Sequence, residues 1–202
     1  MFGLKYLAYP IRYRMFEYLE LVAAFATLLG AFGYIRSMFK GQTNPNRVTW
    51  FMWSVAPLIA TAAALSNGVG WAVIPVFMSG VSPLLVFTAS FFNHKAYWKL
   101  SRFDYLCGAL SGIALVVWYV TSNPNLAIVF AIISDAIAAV PTFSKAWRNP
   151  STESAWPFII GVFSPITSFL VATSYTFSQI AFPSYLIAIN ILLVISISQK
   201  KV

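Results

Sequence analysis

DAIAAVPTFSKAWRNPSTESAW, the stretch from Asp135 to Trp156, combines features that soluble proteins rarely place together. It begins with an acidic residue deep inside an apolar segment, passes Pro141, and leaves through Lys145 and Arg148 into the polar segment NPSTES. A new apolar segment then begins at Trp156. Membrane helices tolerate an embedded proline, and an acid embedded in one usually has a function. The stretch therefore predicts a membrane helix, a basic loop and the start of a second membrane helix.

A weaker copy of this stretch, GAFGYIRSMFKGQTNPNRVTW, runs from Gly30 to Trp50. When Lys40 is aligned with Lys145, the pair Asn44-Pro45 falls on Asn149-Pro150, and Trp50 falls on Trp156 after one inserted residue. Farther along, one constant offset of 108 residues aligns the two halves, and it pairs Pro57 with Pro165, Ala64 with Ala172, Ser66 with Ser174, Pro75 with Pro183, and Leu84-Leu85-Val86 with Leu192-Leu193-Val194. A match at a fixed period indicates an internal duplication.

The composition predicts an integral membrane protein. Hydrophobic residues make up 59% of the 202 residues and charged residues only 9%, whereas soluble domains carry about 25% charged residues. The net charge of +8 does not indicate nucleic-acid binding, because the basic residues lie between apolar segments rather than on one face. The single cysteine, Cys107, excludes an intrachain disulfide and is expected to pack as a small apolar side chain. The first residues show no cleavable signal peptide.

Seven apolar segments approach the length of about 20 residues that a helix needs to cross a membrane. Residues 1–17 contain aromatic and basic side chains and are expected to lie at the membrane interface. The predicted helices run from Tyr18 to Met38, Val48 to Leu65, Trp71 to Phe92, Tyr105 to Thr121, Asn125 to Trp147, Ala155 to Tyr175 and Ile180 to Ser198.

The distribution of positive charge predicts the orientation, because cytoplasmic loops are enriched in Lys and Arg. Ten of the thirteen Lys and Arg fall in three alternate loops and the C-terminal tail, while the turns at 66–70, 122–125 and 176–180 contain none. The C-terminus is therefore expected in the cytoplasm and the N-terminus outside. Three basic residues near the N-terminus violate this rule: Lys5, Arg12 and Arg14. The negative charges of Glu17 and Glu20 partly offset their positive charge. An alternative is that the N-terminal segment forms an eighth, partly inserted helix.

The duplication predicts an arrangement of three, one and three helices. Residues 18–93 form repeat one, residues 94–122 a basic loop and a linker helix, and residues 123–202 repeat two with a basic tail. Because one linker span follows three spans, the two repeats have the same orientation, as parallel repeats related by an axis along the membrane normal. The predicted fold class is thus an all-α integral membrane protein with seven transmembrane helices.

In this arrangement the chain resembles the SWEET and PQ-loop class of small membrane transporters, and bacterial nicotinamide riboside transporters and KDEL receptors are similar in overall plan. The resemblance covers about Tyr18 to Lys201 and has its best local support in Pro141-Thr142-Phe143-Ser144-Lys145, followed by Asn149-Pro150. Thr142 stands where PQ-loop proteins have glutamine, and Arg36 occupies the place of Pro141 in repeat one. The resemblance implies a small-solute transporter, with a sugar as the first substrate to consider.

Three polar residues at mid-depth are the principal candidates for a binding site. Asp135 lies ten residues into its helix, or about 15 Å, which is near the membrane midplane. No Lys or Arg remains at that depth to pair with it, so its partner has to be a hydroxyl, Asn190, a backbone carbonyl freed by Pro141, water or a cationic substrate. Asn190 lies at similar depth, and its repeat partner is Ser82. The resemblance to SWEET proteins implies that an asparagine here borders the solute pocket. Asn190 could instead form an interhelical hydrogen bond that holds the bundle together.

Trp53 is the fourth candidate, because it lies deep enough in its helix to stack on a ring-shaped substrate. Trp50 and Trp156 are expected in the interfacial aromatic belt. Three prolines are candidate hinges, although each could simply shape helix packing: Pro57, Pro165 and Pro141. His94 is next to Lys95 in a loop, and a solvated or interfacial role is expected for it rather than metal binding.

The sequence favours transport of a small polar solute, a sugar first, by alternating access of the two repeats. The alternative is a non-transporting membrane receptor or assembly protein of the same fold that binds a peptide or a protein. Neither catalysis, a cofactor, a metal site nor a nucleic-acid partner is predicted. The plasma membrane is the expected location, and a homo-oligomer is compatible with the sequence.

Overall fold

The computed structural model describes residues 11–93, 98–121, 123–172 and 174–199, with the side chains of 11–17, 114 and 118 left out. This part of the chain is helical, without a strand. The helices are α1 (Ile11–Phe39), α2 (Arg47–Ser66), α3 (Ile74–Ala89), α4 (Arg102–Thr121), α5 (Pro124–Arg148), α6 (Trp156–Phe163), α7 (Ile166–Val171) and α8 (Phe177–Ser198). Short 3₁₀ turns cover Trp71–Val73, Ser90–Phe92 and Pro150–Thr152.

Six of the described helical segments are long and apolar enough to cross a membrane: Tyr18–Phe39, Arg47–Ser66, Trp71–Phe92, Arg102–Thr121, Pro124–Arg148 and Phe177–Ser198. Large apolar side chains such as Phe25, Phe32 and Leu192 remain at least half exposed on the outside of this bundle. Such a surface suits lipid rather than water. The chain is therefore an integral membrane protein, as the composition predicted.

The seventh predicted span, from Ala155 to Tyr175, is shorter than expected. Apolar helix covers only Trp156–Val171, or about 24 Å at 1.5 Å per residue, and it is divided into α6 and α7 at Ser164-Pro165. The helix ends early because Ala172 adopts an extended conformation, with ψ of 125°.

The N-terminal boundary also differs from the prediction. α1 begins at Ile11 rather than Tyr18, so the last part of the expected interfacial segment continues the first membrane helix. Residues 1–10 of that segment, like His94, lie outside the described residues.

Asparagine side chains set the starts of two helices. Asn46 accepts hydrogen bonds from the backbone N–H groups of Val48 and Thr49 at the start of α2. Asn123 does the same for Asn125 and Leu126 at the start of α5, where Pro124 occupies the first turn. Each cap satisfies N–H groups that the helix itself leaves without acceptors.

The helices pack as two groups of three, which we call the first triplet (α1, α2 and α3) and the second triplet (α5, the α6–α7 segment and α8). Within the first, α3 packs against both α1 and α2, and within the second, α8 packs against both α5 and α6–α7. Between triplets, α1 packs on α6–α7 and α2 on α5, while α4 lies against α5 and α2.

Small residues line both seams between the triplets. Buried alanines of α2 and α5 share one core cluster: Ala56, Ala60, Ala63, Ala127 and Ala131. On the other seam, a Cβ at Gly30 would lie 2.9 Å from Ile160 Cδ1, and one at Gly33 would lie 3.1 Å from Trp156 Cδ1. Small side chains let membrane helices approach closely, so both seams are tight.

Candidate functional site

A cavity of about 90 Å³ lies between the two triplets. All four predicted binding residues line it, and so does one predicted hinge: Asp135, Asn190, Ser82, Trp53 and Pro57. The rest of the lining comprises Thr27, Ala31, Trp50, Ser79, Pro83, Pro157, Phe158, Gly161, Leu186, Ile189 and Leu193. The cavity is smaller than the roughly 300–1,000 Å³ of typical ligand pockets.

Asp135 brings the only charged side chain to this lining. It is buried, with 3% of its surface exposed, and its Oδ2 accepts a hydrogen bond of 2.7 Å from the Tyr185 hydroxyl of α8. The Trp53 indole N–H donates to the Asp135 backbone carbonyl at 3.3 Å. A hydroxyl group is one of the hydrogen-bond partners that the sequence analysis considered for this carboxylate. The sequence analysis missed Tyr185, which lies five residues before Asn190 on the same helix.

Asn190 hydrogen-bonds to its own helix rather than to a neighbour. Its Nδ2 donates to the Leu186 carbonyl at 2.7 Å, so the interhelical hydrogen bond considered as an alternative is not what the structure shows. Gly161 of α6 makes room for this amide, since a Cβ there would lie 2.6 Å from Asn190 Oδ1. The sequence reasoning missed Gly161, because its importance depends on a contact between α6 and α8.

Hydroxyl groups of the first triplet supply the cavity's other polar atoms. Ser82 Oγ donates to the Thr27 carbonyl across a long 3.4 Å. Thr27 Oγ1 donates to the Ala23 carbonyl at 2.8 Å and lies 3.1 Å from Ser164 Oγ. These side chains can exchange such weak or local bonds for bonds to a solute, because hydroxyls both donate and accept.

Aromatic rings form the remaining wall of the cavity. The ring centroids of Trp50 and Trp53 are 5.5 Å apart, and those of Trp53 and Phe158 are 5.8 Å apart. The interfacial placement predicted for Trp50 is wrong, because only 3% of its surface is exposed and it packs on Tyr34 at 4.7 Å. Trp156, by contrast, is 56% exposed.

The three predicted hinge prolines occupy different environments. Pro57 lies inside α2, which continues through it. Pro165 lies at the break between α6 and α7. Pro141 lies inside α5 but lines a separate cavity of about 390 Å³, together with Lys99, Asp104 and Arg148. The structure therefore brings only Pro57 to the central cavity.

A buried polar network closes the end of the bundle that carries segments 40–46 and 149–155, which we call the basic end. Lys145 forms an ion pair with Glu153 and also donates to the Asn44 carbonyl. The Tyr34 hydroxyl donates to Glu153 Oε2 at 2.8 Å. Lys145, which the sequence analysis counted with the basic loop, lies in the last turn of α5 and is only 3% exposed.

The same network joins the two loops that match in sequence. The Asn44 N–H donates to the Thr152 carbonyl at 3.1 Å, so the loop before α2 touches the loop before α6. Tyr34 also packs on Trp50, which lines the cavity. The network therefore lies on the side of the cavity that faces the basic end.

The apolar helices define the class, a helical integral membrane protein, and its bundle contains a mostly apolar cavity lined by a few polar side chains. Comparisons with protein-family models, with curated proteins and with solved structures give no match. The resemblance to the SWEET and PQ-loop class stays a prediction from the sequence. No group of three or more potential metal ligands occurs among the described residues.

Proposed function

We propose that this protein moves a small polar solute across a membrane, and that the central cavity is its binding site. The observation that carries the proposal is the convergence of Asp135, Asn190, Ser82 and Trp53 on one cavity. These residues lie on four helices of the two triplets, and polar groups buried within a membrane bundle commonly mark a solute or ion pathway.

The packing of the helices supports the three-one-three arrangement of parallel repeats. The third helix of each triplet packs against the other two, and α1 meets α6–α7 as α5 meets α2. Exchange of the triplets by a two-fold operation preserves these pairings. Binding sites at the interface of two repeats, with one repeat moving against the other, are the basis of alternating access.

The network at the basic end supports a gate on that side. The ion pair between Lys145 and Glu153 joins the C-terminal end of α5 to the loop before α6. The hydrogen bond from Lys145 to the Asn44 carbonyl joins the loop before α2 to the same network. Separating them would open a route beside Tyr34 and Trp50 toward the cavity. The small cavity and the joined loops support a form closed at the basic end, which the distribution of Lys and Arg predicts to be cytoplasmic.

The lining favours a solute with hydroxyl or amine groups on a compact ring. Trp53 and Phe158 offer apolar ring faces, while Asn190, Ser82 and Asp135 offer hydrogen-bonding groups. One bond from Tyr185 leaves the Asp135 carboxylate with further acceptor capacity. Sugars meet these requirements, and so do amino acids and nucleosides.

Uptake by purified protein in liposomes, screened over sugars, amino acids and nucleosides, tests the proposal. Asp135→Asn should abolish uptake and Asn190→Ala should weaken it, while protein folding in detergent stays intact. Ser196→Ala is the matched control for Asn190, because Ser196 is buried on the same helix and also bonds its own backbone, at Leu193. Asp104→Asn serves as the control for a buried acid whose partners, Asn46 and Ser101, lie away from the cavity.

Two outcomes would contradict the proposal. One is the absence of uptake for every solute by folded wild-type protein, together with capture of a peptide or protein ligand, which would favour the receptor alternative. The other is uptake that Asp135→Asn and Asn190→Ala leave at the wild-type rate, which would place the solute pathway outside the cavity.

A further inference from the structure

Glu20 is a further buried acid besides Asp135, Asp104 and Glu153, and it lies on α1 apart from the residues that line the central cavity. The sequence suggested that it offsets the basic N-terminal residues, but its side chain is fully buried at 0% exposure. An acid buried in a membrane bundle without a structural partner needs an explanation, because its charge is costly there.

The described helices and turn around Glu20 contain no counter-charge for it. α1 packs against α3, α6, α7 and the 3₁₀ turn Trp71–Val73, and none of these elements contains a titratable side chain. On α1 itself, Tyr18 is 65% exposed, and the side chains of Arg14 and Glu17 lie outside the described residues. Across the described helix contacts, Glu20 therefore faces apolar and hydroxyl groups.

The hydrogen-bonding geometry favours a neutral carboxylic acid. Neither Glu20 oxygen has a hydrogen-bond partner among the described residues. α1 packs against α7, which carries Thr167, and Thr27 Oγ1 of α1 lies 3.1 Å from Ser164 Oγ, three residues before Thr167. The Thr167 hydroxyl already donates its proton to the Ser164 carbonyl at 2.8 Å. Since a hydroxyl has a single proton, Thr167 can then only accept a bond from Glu20. Such a bond requires a proton on Glu20.

Thr167 also holds the break between α6 and α7. Its N–H and its hydroxyl both donate to the Ser164 carbonyl, directly before Pro165. α6 in turn brings Pro157, Phe158 and Gly161 to the central cavity. A change in the hydrogen bonds of Thr167 therefore acts on the same segment that forms part of the cavity wall.

We propose that Glu20 is a proton-binding site, separate from the solute site, that acts on the α6–α7 break through Thr167. With its proton, Glu20 donates to Thr167 Oγ1 and leaves Thr167 bonded to Ser164. When the proton passes to water, the Thr167 hydroxyl turns from the Ser164 carbonyl to the carboxylate, and the break loosens. The proton site stands on its own geometry, whereas its use in transport rests on the proposed function.

Infrared difference spectroscopy of the purified protein between acidic and alkaline pH tests the site without any solute. We expect a C=O stretching band of a protonated carboxyl group that Glu20→Gln removes and Asp135→Asn retains. Thr167→Val should move this band to higher frequency, because the carboxyl group loses its acceptor. Thr61→Val, which removes a buried hydroxyl from α2, should leave the band in place.

A difference spectrum that Glu20→Gln leaves unchanged would overturn the inference. A carboxyl band whose frequency is the same in wild type and Thr167→Val would also overturn it. A band that responds to sodium at constant pH would also overturn it, in favour of a metal cation. For a solute found in the uptake screen, Glu20→Gln should remove the dependence on a pH gradient while solute exchange continues. Uptake without the Glu20 band would refute the proton site alone, whereas the band without uptake of any solute would refute the proposed function alone.

Discussion

α2 and the α6–α7 segment match in sequence but differ in structure. The 108-residue offset pairs Pro57 with Pro165, yet α2 runs unbroken from Arg47 to Ser66 while Pro165 separates two short helices. A proline inside a helix removes one hydrogen bond and crowds the carbonyl four residues earlier. The two segments respond to the same disturbance in different ways, so the residues around each proline must account for the difference.

The residues that follow each proline supply a physical reason. α2 continues with the alanine-rich run ATAAAL, whose residues favour helix. Thr167 and Ser168 follow Pro165, and their hydroxyls bond the Ser164 and Ala72 carbonyls instead. Such side-chain bonds compete with helical hydrogen bonds. The comparison leads to the hypothesis that the second triplet contains the adjustable wall of the cavity and the first triplet the rigid one.

The largest expected effect comes from the loop that precedes α6. Glu153→Gln removes one partner of the buried pair with Lys145, and breaking such a pair costs about 3–5 kcal/mol of unfolding free energy. Thermal unfolding in detergent should show a marked fall in melting temperature, together with proteolytic sensitivity at the basic end. Lys40→Gln is the control, because Lys40 is the sequence match of Lys145 but is exposed. Equal stability of wild type and Glu153→Gln would contradict the closed network.

Replacement of the two prolines sharpens the comparison itself. Pro165→Ala should allow α6 and α7 to join, with a change in unfolding free energy below the roughly 3 kcal/mol cost of a proline inside a helix. We expect slower solute uptake and unchanged or higher stability for this variant. Pro57→Ala should affect uptake less, because α2 is already continuous. Equal effects of both substitutions would remove the distinction between an adjustable and a rigid wall.

Gly161→Ala should have a smaller effect on stability and a clear effect on the site. The added Cβ would meet the Asn190 amide at 2.6 Å, and overpacking of this kind costs about 1–3 kcal/mol. Uptake should fall as Asn190 moves, with the affinity for solute reduced. Gly112→Ala on α4, where a Cβ meets nothing within 4 Å, is the matched control. Normal solute affinity in Gly161→Ala would indicate that Asn190 does not contribute to the binding site.

Much of the candidate site could be predicted because depth within a membrane helix follows directly from residue count. Asp135, Asn190, Ser82 and Trp53 were chosen from their positions along apolar segments, and the structure places all four on one cavity. Tyr185, Gly161 and Thr167 could not be chosen in this way. Their importance comes from contacts across helices, such as the hydrogen bond of Tyr185 to a residue 50 positions away.

By itself, the sequence determined the membrane class, the approximate helix boundaries and the residues that lie near mid-depth, because hydropathy and helical rise are local properties of the chain. Only the tertiary structure decided which polar side chains are buried and what they meet. Lys145 and Glu153 belong to a polar, basic stretch that composition assigns to solvent, and Glu20 to the basic N-terminal region, yet all three are buried. The reason is that burial depends on which helices become neighbours, as when Tyr34 reaches Glu153 across 119 residues.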